Sequence, residues 1–223
     1  IEQTRLIALL RRLEMPLERI QEVLAMPRER ASAAIAAYWE EQEIQMGNRR
    51  RLVRFLESYL EDRGEQMFDI QTRSVPEQRI VSIRGNVFAE DLPKFIQNGM
   101  HRLYDYLAET GAPPASHPFV AYHGQVDMDS DGPVEVCVPV GAPVEPSGDI
   151  AVRSEAAHEL AFVRITKAQV AFPAILEAYE AVERHLRETG RQQVGSPREV
   201  YFGDFGKAAD DDEVCDIAFP YTG

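Results

Sequence analysis

The sequence has 223 residues, of which 44% are hydrophobic and 27% charged, as expected for a globular chain that buries a core. It contains no apolar run of about 18 residues, which excludes a membrane-spanning helix, and it shows no secretory signal pattern. Two cysteines, Cys137 and Cys215, are too few for a disulfide framework, so we expect a cytoplasmic protein.

The net charge of −13 is unevenly distributed along the chain. Residues 1–63 hold 11 basic and 11 acidic residues, so residues 64–223 carry the whole acidic excess. This second part would repel a phosphate backbone and would attract cations, although weakly and in a salt-dependent way.

Residues 1–27 are predicted to form two short helices. Apolar residues recur at helical spacing between Leu6 and Leu13. Pro16 stands where a second helix would begin, a position that tolerates proline, and Pro27 ends that helix.

One long helix is predicted for residues 28–63, because this segment lacks proline, contains a single glycine and is followed by Gly64. A seam at 3-4 spacing is apolar at both ends and polar in the middle, and it consists of Ile35, Tyr38, Gln42, Gln45, Arg49, Leu52, Leu56 and Tyr59. Since such a helix cannot bury its apolar ends on itself, we expect a homodimer formed by antiparallel pairing of this helix. A connector helix packed on its own chain is the alternative.

An internal repeat organises the second part of the chain. The segment Leu107–Gly111 recurs in similar form as Leu186–Gly190, 79 residues later, and the same offset carries Tyr122 onto Tyr201. The predicted elements are strand 79–87, helix 91–108 and strands 118–124 and 134–140, then strand 160–166, helix 169–187 and strands 198–205 and 213–219. We therefore predict an α+β domain of two pseudo-symmetric β-α-β-β units with a ligand crevice between them, and left-handed glycines at both helix ends.

Glu199 is the candidate ligand-binding residue of this domain. In a strand, Glu199 and Tyr201 point to the same side, the repeat places Tyr122 on the equivalent face, and Arg198 points away. A buried carboxylate without a cation costs several kcal/mol, which an incoming cation would relieve, and aromatic faces would add cation–π attraction. A glutamate in solvent, or one bonded to a tyrosine hydroxyl, is the alternative.

No motif in the sequence indicates catalysis, a metal or a cofactor. The acidic segment from Asp127 to Asp131 lacks the glutamate that would complete a calcium loop, since Val138 stands there. The five histidines show no metal-binding spacing, and no nucleotide-binding motif is present.

The chain resembles a MerR-family regulator that carries a GyrI-like effector-binding domain. Residues 6–24 resemble the helical pair after the wing, residues 28–63 the antiparallel dimerisation helix, and residues 65–223 the effector-binding domain. The matching segments of that domain are Val75–Glu77, Val134–Val140, Pro197–Tyr201 and Ile217–Pro220. The usual Gly and Ser before the short helix are replaced by Glu14 and Pro16.

The resemblance implies a pocket for lipophilic cations with a central glutamate, which maps onto Glu199. Pocket aromatics map onto Tyr104, Tyr122 and Tyr201, and a further aromatic could be Phe172 or Tyr179. Family members bind promoter DNA as dimers and activate transcription by distorting an overlong spacer. Contacts with promoter DNA and RNA polymerase would come through an N-terminal helix-turn-helix that these residues lack, so we expect this chain alone to bind duplex DNA poorly.

Other functions are compatible with a GyrI-like domain. One is a hydrolase in which Glu199 activates water, and another is a drug-sequestering protein. A hydrolase would not require the long helix, so we expect a ligand-sensing regulator and no enzymatic activity.

Overall fold

The computed structural model describes residues 2–61, 68–203 and 205–222 and separates the chain into two units, Ile1–Arg63 and Gly64–Gly223. The first unit is helical, and the second combines three helices with nine strands in its described part. No helix among the described residues combines the length and apolar composition that crossing a bilayer requires.

The first unit consists of α1 (Glu2–Arg12), α2 (Leu17–Ala25) and α3 (Arg28–Glu61). Its small core contains the buried side chains of Leu10, Met15, Ile20, Val23 and Tyr38. α2 begins directly after Pro16, as its sequence predicts. The end of α3 expected at Gly64 lies outside the described residues.

One end of the predicted α3 seam is already covered within the chain. Tyr38 is buried in the core formed with α1 and α2, and Ile35 packs against that core. This end of the predicted dimer seam was therefore assigned wrongly, because two neighbouring helices of the same unit cover it. At the other end Leu56 is exposed, and the side chain of Tyr59 is outside the described residues.

The second unit follows the predicted order of strands and helices, with three additional short strands. Its elements are β1 (Gln71–Val75), β2 (Gln78–Val87), α4 (Leu92–Thr110), β3 (Phe119–Tyr122), β4 (Gly132–Val140), β5 (Ala151–Glu155), β6 (His158–Thr166), α5 (Lys167–Val170), α6 (Ala174–Glu188), β7 (Gln192–Gln193), β8 (Arg198–Tyr201) and β9 (Glu213–Thr222). Gly111 and Gly190 have φ of 68° and 69°, which confirms the left-handed helix ends.

Two predicted elements are shorter in the structure. The helix predicted for residues 169–187 is divided into α5 and α6, because Pro173 cannot donate a helical hydrogen bond. The strand predicted for residues 198–205 ends at Tyr201, and Gly203 follows with φ of 87°. Position 203 therefore belongs to the connection between β8 and β9.

All strands form one antiparallel sheet, curled into a half-barrel, in the order β1-β6-β9-β8-β3-β4-β2-β5, with β7 beside β9. The middle of the sheet is the pairing of β3 with β8, where Val120 lies opposite Glu199. One strand from each half of the domain therefore meets at the centre of the sheet.

The first strand of each half pairs with the other half. β1 is joined to β2 through Pro76 and Glu77 but pairs with β6, and β5 is joined to β6 through Ala156 and Ala157 but pairs with β2. We call β1 and β5 the exchanged strands. Their pairing ties together segments that are far apart in sequence.

The sheet buries apolar side chains on both faces. On the helix face, strand residues pack with Leu103 and Leu107 of α4 and with Val182 and Leu186 of α6. The opposite face has a buried cluster made of strand residues, among them Phe119. Strand alternation thus assigns each position of β8 to one of two different environments.

Candidate functional site

Glu199 lies on the helix face of β8 and is 5% exposed. Tyr201 follows on the same face, whereas Val200 belongs to the apolar cluster of the opposite face. The alternation predicted from the sequence is therefore confirmed for this strand. It places a carboxylate inside the domain, beneath the helices.

Tyrosine hydroxyls donate hydrogen bonds to the Glu199 carboxylate, so the alternative expected from the sequence, a glutamate bonded to a tyrosine hydroxyl, is present in the structure. The Tyr179 hydroxyl is 2.9 Å from Oε1, and the Tyr201 hydroxyl is 2.5 Å from Oε2. Tyr122 from β3 also interacts with this carboxylate. The two halves of the domain thus both contribute to one site, which we call the Glu199 cluster: Glu199, Tyr122, Tyr179 and Tyr201.

The rings of this cluster form an edge-to-face arrangement. The centroid of Tyr179 lies 6.4 Å from that of Tyr122 and 5.9 Å from that of Phe219. Tyr201 is in contact with Phe205 at a centroid distance of 6.3 Å. Such contacts are typical of packed aromatic side chains, so the carboxylate is surrounded by ring edges and faces.

Packing of α6 on the sheet positions Tyr179. Ala178, Val182 and Leu186 are buried one helical turn apart and fix the helix against the second apolar cluster of the helix face. Tyr179 follows Ala178 and therefore projects beside this stripe, where it reaches Glu199.

The charge of the Glu199 carboxylate is not balanced by an ion pair within the described residues. Burial raises the pKa of Glu199 above its ordinary value, and the interactions with Tyr201, Tyr179 and Tyr122 only partly oppose this effect. Burial next to the carboxylate also raises the pKa values of the three tyrosines well above normal. In the described part of the chain, no lysine or arginine forms an ion pair with Glu199.

Buried carboxylates on the opposite face are bound differently, since each forms an ion pair with arginine. These pairs are Glu135 with Arg153 at 3.0 Å, Asp216 with Arg73 at 2.6 Å and with Arg164 at 2.8 Å, and Glu155 with Arg198 at 2.8 Å. Burial raises the pKa of Glu135, but hydrogen bonds from Arg153 and Ser82 outweigh burial and hold this pKa at about 2.

His123 belongs to this opposite-face network. Its Nε2 lies 2.8 Å from Oε2 of Glu135, and its Nδ1 lies 2.8 Å from the hydroxyl of Ser196. The histidine therefore connects β3 and β4 with the residues that precede β8. No group of three or more His, Cys, Asp or Glu within the described residues could hold a metal ion.

Two predicted site residues lie apart from the cluster. Tyr104 is 40% exposed on α4, because its neighbour Leu103 occupies the buried position and the helix turns Tyr104 away from it. Phe172 is 56% exposed ahead of α6. Among the described contacts, neither ring touches the Glu199 cluster, whereas Tyr179, the other choice for the second helix, lies within it.

The site predicted from the sequence did not include two aromatic residues that lie near Glu199 in the structure. Phe219 is found by continuing the alternation of β9 on the helix face from Cys215 through Ile217. Phe205 lies in the connection between β8 and β9, where no periodic pattern indicates the direction of a side chain. Its position follows from tertiary contacts, which the sequence alone does not reveal.

A cavity of about 810 Å³ opens beside the turn between β1 and β2. Its wall includes Arg73, Arg79 and Glu77, and its described lining contains no aromatic ring. These properties do not suit a lipophilic cation.

Comparison with known proteins finds solved structures that share the fold. Neither a family model nor a curated protein matches the sequence. A structure of EcmrR in complex with DNA matches 98% of this chain and 81% of its own, with a TM-score of 0.61 and 19% identity. The EcmrR C-terminal domain matches 70% of this chain and 99% of its own, with a TM-score of 0.60 and 20% identity.

An uncharacterised conserved protein from Listeria innocua shares the fold of the second unit. It matches 69% of this chain and 92% of its own, with a TM-score of 0.51 and 11% identity. At these identities the likenesses establish a shared fold. They confirm at that level the resemblance drawn from the sequence.

Proposed function

We propose that this chain is the ligand-sensing part of a MerR-type regulator and that its second unit binds a hydrophobic, cationic small molecule at the Glu199 cluster. The fold shared with EcmrR, a MerR-family protein whose structure was determined with DNA, supports the regulatory role. One observation carries the choice of ligand. Glu199 is a buried carboxylate whose partners are phenols, in a sheet whose other buried carboxylates bind arginine.

A hydrophobic cation at this site would be stabilised by an electrostatic contribution and by an apolar contribution. The ionised carboxylate attracts it in a medium of low dielectric constant, and each ring adds roughly 0.5–2 kcal/mol of cation–π energy. The apolar body of the ligand gains about 25 cal/mol for each Å² that it buries. A neutral molecule of the same shape obtains the apolar term without the electrostatic one.

The substitution Glu199→Gln separates these terms, because it keeps the shape of the side chain and removes its charge. We expect it to weaken binding of tetraphenylphosphonium at least tenfold, about 1.4 kcal/mol, and to change the affinity for neutral triphenylphosphine oxide less than twofold. Isothermal titration calorimetry measures both affinities. Glu188→Gln, an exposed position at the end of α6, controls for the loss of one negative charge.

Unchanged phosphonium affinity in the Glu199→Gln variant would show that the glutamate is structural. Incubation with an ester or an epoxide of a lipophilic cation distinguishes binding from hydrolysis. We expect the compound to be recovered intact, and Glu199-dependent turnover would support the hydrolase alternative instead.

The first unit is proposed to form a homodimer through α3. Four apolar side chains on this helix recur at seven-residue spacing and are all exposed: Trp39, Met46, Val53 and Leu60. The seam of a coiled coil has apolar residues at two positions of each heptad, and this row supplies one of them, so we propose a second copy of α3 as its cover.

We expect Met46→Glu combined with Val53→Glu to convert the dimer into a monomer, because two charges would be buried in the seam. Light scattering of the purified chain at several concentrations gives the mass. Leu17→Glu, at an exposed position of α2, is the matched control and should leave the dimer intact. A monomeric parent chain would contradict the proposal.

Coupling to promoter DNA and RNA polymerase completes the proposed role. The second unit carries the acidic excess of the chain and would repel phosphate, so we propose that contacts with DNA do not come from this unit.

A further inference from the structure

We infer that Phe205 is a specificity-determining residue that contacts the outer part of large ligands bound at the Glu199 cluster. The inference rests on the proposed cation site and concerns the size of the ligand that the site accepts. Phe205 lies in the connection between β8 and β9, beyond the four residues of the cluster.

The ring of Phe205 extends the aromatic wall outward. It meets the Tyr201 ring at an angle of 83°, and the Tyr201 hydroxyl donates to Glu199. Phe205 is thus separated from the carboxylate by a single ring. It is 43% exposed, whereas Glu199 is buried, so it offers apolar surface at the outer edge of the site.

Contacts with the start of α5 hold this connection in place. The Lys167 ammonium donates to the carbonyl oxygen of Ala208 at 2.7 Å, and the amides of Lys167 and Ala168 donate to the carbonyl oxygens of Asp212 and Asp210, both at 2.9 Å. Ala208 packs against the apolar cluster of the second half. These contacts fix the connection that carries Phe205.

Lys167 also indicates that the Phe205 ring can attract a positive charge. Its ammonium lies 5.4 Å from the ring centroid, within the range of a cation–π interaction. The ammonium places a positive charge near the outer edge, whereas Glu199 places a negative charge in the interior. We therefore expect the charged centre of a ligand to bind near Glu199 and its uncharged rings to contact Phe205.

The fold itself does not require an aromatic residue here. The corresponding connection of the first half, residues 123–131 between β3 and β4, contains no Phe, Tyr or Trp. That connection nevertheless links the same type of strand pair. The turn alone therefore does not require a ring at position 205, and the contacts with Tyr201 and Lys167 hold this ring at the outer edge of the site.

The inference makes Phe205 a discriminator of ligand size. A small cation, benzyltrimethylammonium, carries a single ring, and we expect it to bind next to Glu199 without contacting Phe205. Tetraphenylphosphonium carries four rings around its charge, so at least one of them extends outward to Phe205. Removing the ring should weaken binding of the large cation and spare the small one.

We test this with Phe205→Ala and calorimetry of both cations, beside Glu199→Gln. The expected result is a tenfold weaker affinity for tetraphenylphosphonium and a change below twofold for benzyltrimethylammonium in Phe205→Ala. Phe205→Tyr keeps the ring and should retain the parent affinity for both cations. An unchanged melting temperature of Phe205→Ala shows that the fold is intact, and if that variant unfolds, Phe205→Leu takes its place.

Unchanged affinity for tetraphenylphosphonium in Phe205→Ala, or an equal loss for both cations, overturns the inference. In the second case Phe205 would act through Tyr201 on the carboxylate instead of touching the ligand. Glu199→Gln should weaken both cations in either case. If Glu199→Gln weakens neither, the cation site itself is wrong, and this result is distinct from a failure at Phe205.

Discussion

Buried carboxylates have different binding partners on the two faces of the sheet. On the face away from the helices, Glu135 and Asp216 are 6% and 1% exposed and bind arginine at hydrogen-bonding distance. On the helix face, Glu199 is 5% exposed and binds three phenols. Burial is therefore similar, and the difference lies in the partner. An arginine partner gives the opposite-face carboxylates a structural role. Glu199 has no such partner among the described residues, and the proposed ligand would supply the positive charge there.

The largest effect is expected from breaking an ion pair on the opposite face. Arg198 and Glu155 have side chains only 7% and 12% exposed, so Arg198→Met would leave a buried carboxylate without its cation. We expect a loss of about 3–5 kcal/mol in the free energy of unfolding, measured by urea denaturation.

An exposed pair provides the control for this experiment. Arg102 and Asp149 are 51% and 57% exposed, so Arg102→Met should cost less than about 1 kcal/mol. If Arg198→Met were as mild as this control, the opposite-face pairs would not have the structural role assigned to them.

A smaller effect, of opposite sign for the two faces, is expected from pH. The pKa of Glu199 in the folded protein is raised above its ordinary 4.5, so the folded state holds a proton that the unfolded state releases. Stability should therefore fall as the pH rises from 4.5 through the raised pKa. Glu199→Gln should remove this loss of unfolding free energy. The loss amounts to about 1.4 kcal/mol for each unit by which the pKa of Glu199 in the folded state exceeds that in the unfolded state.

Glu135 should show the reverse dependence. Its pKa is held at about 2 in the folded state, so its stabilisation is complete above 4.5 and is lost as the pH falls towards 2. Unfolding free energies of the parent, Glu199→Gln and Glu135→Gln between pH 3 and 8 measure both slopes. Parallel curves for the two variants would remove the distinction between the faces.

Much of the element order could be predicted because long elements carry strong periodic patterns. α3, α4, β4 and β9 are 34, 19, 9 and 10 residues long, and each lies where the pattern indicates. The exchanged strands were not predicted. Each has five residues of mixed polarity. The partner of β1 lies about 80 residues later in the sequence, and the partner of β5 lies about 80 residues earlier. No local signal specifies such a pairing.

The site was predictable where one strand's alternation determined it, and less so elsewhere. Glu199 and Tyr201 followed from β8 alone, and Tyr122 followed from the repeat. Tyr104 was placed on the buried stripe of α4, but the stripe runs through Leu103 and Leu107, one residue away. In a helix, one residue is a rotation of about 100°, so a small error in phase moves a side chain from the sheet to the surface.

The exchanged strands also determine how this domain can fold. β1 must find β6 and β5 must find β2 before either half has a complete sheet, and both pairings join residues distant in sequence. Closing such large loops costs chain entropy before the contacts form, which makes folding slow relative to a chain of local hairpins. Neither half has its full set of strands alone, so the two should unfold in one cooperative transition. A protein cut between Gly141 and Gly148 would then regain structure only when both fragments are present.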